Sequence, residues 1–154
     1  VLHDIFCTSM EIPKRLMCGE MPIIPKVTFP AIDIRDVAEA HMKSLYLDNV
    51  VSKRFLIVSQ NVSPPAQQIA IWLNEEFSRK GYLISTIEAP DFIFKLLSYF
   101  SSSASAIIPV LSKRPKYNNS LFINTFSIKP IDTKQSIIEM TYSMIEKGFI
   151  PKNF

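Results

Sequence analysis

Only three glycines occur in the 154 residues, Gly19, Gly81 and Gly148, and each follows a run with helical apolar spacing. A glycine placed there ends a helix by taking the left-handed conformation that a Cβ would disfavour. None is left for a loop of clustered glycines, which lets a backbone approach a pyrophosphate at the start of a helix. The chain therefore holds neither a G-x-x-G-x-x-G fingerprint nor a G-x-x-x-x-G-K-[ST] loop. Dinucleotide or triphosphate binding does not begin within it.

Other site chemistries meet similar limits. A reductase that donates a proton from a phenol needs a lysine four residues after the tyrosine, so that the ammonium acidifies it. The residues in that place after Tyr46, Tyr82, Tyr99, Tyr117 and Tyr142 are Val50, Thr86, Ser103, Leu121 and Glu146. With two histidines, His3 and His41, a His-rich metal site is not expected. The spacing around His41 places it on the inner side of a helix, as a hydrogen-bonded core residue. No G-x-S-x-G elbow is present to start a hydrolase triad.

The net charge of +3 predicts no broad phosphate-binding face, and Lys113, Arg114 and Lys116 read as a solvated turn. No nucleic-acid or membrane partner is expected. Phe92 to Leu111 is the longest apolar region, but Lys95 and the serines from Ser101 to Ser105 interrupt it below the length of a spanning helix. An interfacial helix there is the weaker reading. Cys7 and Cys18 are too far apart for a C-x-x-C pair, and with no signal-like N-terminus a cytoplasmic setting is expected. A first residue of Val, opening straight into an apolar segment, suggests a piece of a longer protein.

Helical patterns alternate with short β-rich runs. A helix is expected from about Ser9, carrying Ile12, Leu16 and Met17 to Gly19. A second runs from about Arg35 to Leu47, with Val37, Ala38, His41 or Met42, and Leu45 inward. The clearest opens at Pro64 and Pro65, with Ala66, Ile69, Ala70, Leu73 and Phe77 on one stripe, and ends at Gly81. Asp91 is expected to cap a helix carrying Phe94, Leu97 and Phe100. The last starts near Asp132, turns Ile137, Met140, Met144 and Ile145 inward, and stops at Gly148. Val27 to Ile34, Arg54 to Ser59 and Tyr82 to Ile87 read as strands, which predicts an α/β lobe rather than a bundle.

The segment Val27 to Leu45 (VTFPAIDIRDVAEAHMKSL) resembles a strand-then-helix signature of extended short-chain dehydrogenases/reductases, in their dihydroflavonol reductase and cinnamoyl-CoA reductase-like branch of the NAD-dependent epimerase/dehydratase superfamily. Asp33, Arg35, Asp36, Val37, Ala38, Ala40 and His41 carry the match. Thr8-Ser9-Met10 with Arg15 to Pro22, Lys53 to Ile57, Ala89-Pro90-Asp91, Lys113 to Ser120, and Phe126 to Pro130 follow in the family's order. Lys53 replaces a more usual residue, and the FSIKP segment lacks the family's Gly.

The resemblance implies that residues 1–154 form the C-terminal, substrate-side part of a Rossmann-type reductase, the last strands of its sheet plus a mixed, helix-rich substrate lobe. The N-terminal dinucleotide-binding half would be absent and would be this chain's partner. The parent would use NADP(H) or NAD(H) to reduce a small carbonyl substrate, such as an aldehyde, ketone or flavonoid-like compound; this chain alone would bind no cofactor and have no catalytic residue. Thr8 and Ser9 match the position of a hydroxyl near the cofactor's phosphate, although Ser9 also reads as a helix cap. Phe92, Phe94, Leu97 and Tyr99 are the candidates to line an apolar substrate pocket, and packing into the core is their plain alternative. Asp33, Arg35 and Asp36 read as a cap and an ion pair. The competing functional reading is a non-catalytic remnant that acts as a binding or interaction module.

Overall fold

A computed structural model of the chain describes residues 8–100 and 102–152. His3 and Cys7 lie outside the described residues, as does the side chain of Thr8. Seven α-helices form among the described residues: α1 Glu11–Met17, α2 Ile34–Ser44, α3 Ala66–Phe77, α4 Asp91–Leu97, α5 Ser102–Ile107, α6 Ser120–Phe126 and α7 Thr133–Glu146.

The main core lies where α1, α3 and α7 pack together. α3 starts straight after Pro65, whose fixed φ suits a helix entrance. It buries Ala66, Ile69, Ala70, Leu73 and Phe77, the stripe its spacing predicts. A 3-10 turn, Ser78–Lys80, follows, and Gly81 closes it at φ 83°, a conformation that favours glycine. Asp132 caps α7 by accepting the Gln135 amide at 3.1 Å, and Ile137, Met144 and Ile145 reach the core. Tyr82 is buried beneath them and donates its hydroxyl to the Pro151 carbonyl at 2.9 Å, so the polar tip is satisfied.

A smaller cluster gathers Ala40 of α2 with Phe122 and Phe126 of α6 and with Ile128. Phe55 packs edge-on against Phe126 at 4.9 Å between centroids. The sequence reading missed α6. Its signals are two phenylalanines four residues apart and Asn118, whose side chain accepts the Ser120 amide at 3.0 Å.

The expected α/β sheet does not form. Among the described residues there is no strand, only three isolated bridges: Ile24 with Glu88, Thr28 with Pro65, and Val62 with Lys116. Val27 to Ile34, Arg54 to Ser59 and Tyr82 to Ile87 form no ladder with one another, and the first two share only the backbone bond from the Ser59 amide to the Ala31 carbonyl among the described residues. Proline supplies a physical reason, because it has no amide to donate to a ladder. Each bridge has one in it or beside it: Pro25 follows Ile24, Pro65 is itself a bridge residue, and Pro115 precedes Lys116. The described residues therefore fold as helices, not as a Rossmann-type sheet, and the expected last strands of a sheet are not found among them.

α2 also packs differently from its predicted register. Asp33, Asp36 and Ala40 are buried, whereas Ile34, Met42 and Leu45 face solvent. His41 is exposed, with Nδ1 2.8 Å from the Val37 carbonyl of its own helix, rather than on the inner side. Helical spacing finds an apolar stripe but does not say which side of the helix has a neighbour.

Candidate functional site

The charged motif at the head of α2 is built for structure. Asp33 sits in an extended conformation as the N-cap and accepts the Arg35 amide at 2.9 Å. The Arg35 guanidinium folds back on the same carboxylate, Nε at 2.9 Å and Nη2 at 2.8 Å, and Nη2 also reaches Glu139 on α7 at 2.7 Å. The Arg35 hydrogen bond is the main cause that holds the Asp33 carboxyl well below the usual carboxylate range. Asp36 accepts the Ile131 amide at 2.9 Å, yet burial outweighs that bond and pushes its pKa up. These contacts join α2 to α7 and to the segment before it.

The other predicted site residues do not converge. Ser9 lies in the 3-10 turn Thr8–Met10 ahead of α1. Phe94 is buried in the main core, and Phe92, Leu97 and Tyr99 are exposed on α4 and the turn after it. An open depression of about 440 Å³ is lined by Gly19, Met21, Pro22, Asn74, Ser78, Tyr82, Leu83, Ile84 and Ser85, and contains none of them. The carbonyl-substrate pocket implied by the resemblance is not found there. No group of three His, Cys, Asp or Glu residues is placed to hold a metal among the described residues. None of the described helices is long and apolar enough to cross a membrane.

One tyrosine and lysine do meet, from different helices. Tyr142 of α7 contacts Lys80 and donates to Glu76, while Lys80 bonds Glu76 at 2.9 Å and lies 4.4 Å from the Tyr142 ring centroid. The cluster is half-exposed and ties α3 to α7. The hydrogen bonds from Tyr142 and Lys80, in that order, lower the Glu76 pKa.

What remains open is a surface around the small cluster. From Arg54 to Ile57 the backbone belongs to no helix or turn, and no backbone hydrogen bond engages it among the described residues. Its side chains alternate: Phe55 and Ile57 pack inward, while Arg54 and Leu56 face solvent. Both ends are pinned. Lys53 donates its amide to the Val50 carbonyl at 3.1 Å. The buried Asn119 donates to the Val58 carbonyl at 2.8 Å, and Ser59 donates its amide to Ala31 at 2.8 Å. Near the Ala31 end, α2 carries Ile34, Ala38 and Met42 at four-residue intervals, then Leu45 and Tyr46. Met42 is 57% exposed, Leu45 72% and Tyr46 80%, an apolar stripe that the described residues leave largely uncovered. Sequence reading assigned that stripe to the core and so missed the surface.

No family model matches the sequence, and no curated protein matches it. Among solved structures, the chain is similar to Gre2 from Candida albicans, crystallised in complex with NADPH, with a TM-score of 0.63 at 17% identity. The likeness covers 95% of this chain and 38% of that one. At this identity it shows the fold alone. Membership of the short-chain dehydrogenase/reductase family is therefore not supported, and the motif that suggested it is explained locally by a cap and an ion pair. The oxidoreductase reading, its NAD(P)(H) cofactor and a Rossmann half as partner are likewise not supported, since the described residues form no sheet.

Proposed function

We propose that the chain is a non-catalytic interaction module that receives an extended segment of a partner polypeptide along Arg54 to Val58. The observation that carries this reading is the free edge itself. Unpaired amides and carbonyls along a segment of alternating side chains are complementary to those of a strand, and few ligands other than a strand satisfy them in register. The exposed cations Lys53 and Arg54, which make no ion pair among the described residues, favour an acidic residue at one end of the incoming segment.

The test is selection of short peptides from a random library against the chain, followed by amide-exchange mapping. Acidic, β-prone peptides are expected to bind and to protect the amides of Arg54 to Val58. Leu56→Asp, and separately Arg54→Glu, should each weaken them by about tenfold, near 1.4 kcal/mol. Peptides that leave those amides unprotected, or that bind both variants equally, would defeat the reading.

A further inference from the structure

A second exposed surface lies on the other core, outside the edge just described. α4 and the turn after it present Phe92, Leu96, Tyr99 and Phe100 at helical spacing, while the buried Phe94 and the partly buried Ile93 anchor the helix in the main core. Ser98, Tyr99 and Phe100 continue the helical path through amide bonds to Phe94, Leu96 and Leu97. Tyr99 is 83% exposed and Phe100 85%. The four side chains present an apolar area on the order of 500 Å², at the upper end of what a soluble surface normally shows.

The neighbouring charge is one-sided. Ser112, in a left-handed turn at φ 57°, donates its hydroxyl to Asp91 at the head of α4 at 2.6 Å. That bond brings Ser112 to the head of α4, with the basic run Lys113, Arg114 and Lys116 following it in the chain, and Lys95 stands on α4 itself. Lys26 is matched by Glu88 at 3.9 Å. None of the other four cations, Lys95, Lys113, Arg114 and Lys116, makes an ion pair among the described residues, and Arg114 lines a small depression with Ser112, Lys26 and Glu88. A protein groove would be satisfied by the apolar stripe alone. Aromatic side chains next to clustered cations fit the headgroup boundary of a bilayer, where rings sit at the interface and each cation gains from anionic lipid.

We infer that this face docks on an anionic lipid surface, lying in the interface without crossing it. Aromatic insertion supplies the apolar contact, and the basic turn supplies selectivity for charge.

The experiment is co-sedimentation of the full chain with phosphatidylcholine vesicles containing about 30% phosphatidylserine, set against vesicles of phosphatidylcholine alone. Binding is expected only to the anionic vesicles, and raised salt should weaken it through screening. Phe92→Ser with Phe100→Ser, and separately Lys113→Ser with Arg114→Ser, should each reduce the bound fraction about tenfold. All four residues are exposed, so both variants should fold, which circular dichroism checks. No vesicle binding, or equal binding to neutral vesicles, overturns the inference. Self-association in ultracentrifugation that the phenylalanine variant abolishes, without vesicle binding, would overturn it in favour of a second copy. None of these results bears on peptide docking at Arg54 to Val58.

Discussion

Phe77→Ala is expected to cost about 3–5 kcal/mol, a large part of the roughly 5–15 kcal/mol that holds a domain of this kind folded. The ring is fully buried at the end of α3 and meets Tyr82 edge-on at 6.1 Å and Tyr142 at 4.8 Å between centroids. Truncation would remove the contact that joins α3, α7 and the segment after Gly81, and close packing leaves little to fill the void. Thermal unfolding should shift down by roughly 10 °C or more for a chain of this size. Phe77→Leu should cost much less, since it keeps most of the volume. A loss below about 1 kcal/mol for the alanine variant would show that the ring is not a keystone of the main core.

Asp33→Ala should destabilise the fold by about 2 kcal/mol at neutral pH, because it removes a helix cap and one partner of a two-point contact with Arg35. The cap supplies the larger share, since the Arg35 side chain is half in solvent and its charge is screened. Asp33→Asn keeps an oxygen for the Arg35 amide and should lose about half as much. The effect has a pH signature. The native carboxyl of Asp33 is held below its unfolded value, so its contribution is complete above about pH 4 and declines as the pH falls towards the native value. Asp36 works in the opposite sense. Its native pKa is raised by burial, so its contribution is complete below the unfolded value and is lost as the pH rises through the native one. The quantity to measure is therefore the difference in melting temperature between wild type and Asp33→Ala as a function of pH. It should narrow on acidification, and a constant difference would separate the cap from the charge.

The parts of this fold that were legible were those with a local cause. Pro64-Pro65 and Gly81 bracket α3, and Asp132 and Gly148 bracket α7, because caps and stops depend only on nearby backbone. Phe94, a candidate to line a substrate pocket with the core as its alternative, packs in the main core, while Phe100, also expected on that helix, is in solvent. Strands were over-read for a related reason. The run RFLIV has the β-branching of a buried strand, yet a ladder needs a second chain segment alongside, and propensity does not say whether one arrives. The prolines next to every bridge were the readable warning. The resemblance erred at the same point: Asp33, Arg35 and Asp36 recur wherever a helix must be capped and tied down, so their presence does not bring a sheet with it. Of the two proposed surfaces, the one on α4 was foreshadowed by the interfacial helix read as the weaker alternative over Phe92 to Leu111, whereas Arg54 to Ser59 read as a strand already paired in a sheet.

The unequal sizes of the two apolar clusters have a bearing on how the chain breathes. The smaller one has only four fully buried members, and the unpaired Arg54 to Ile57 segment forms part of its wall. Opening it would expose little oily surface and break few backbone bonds, so that corner should fluctuate at lower free energy than the α1, α3 and α7 interior. A peptide that settled there would act as a missing wall, and its binding energy would be spent partly on quieting the corner it joins.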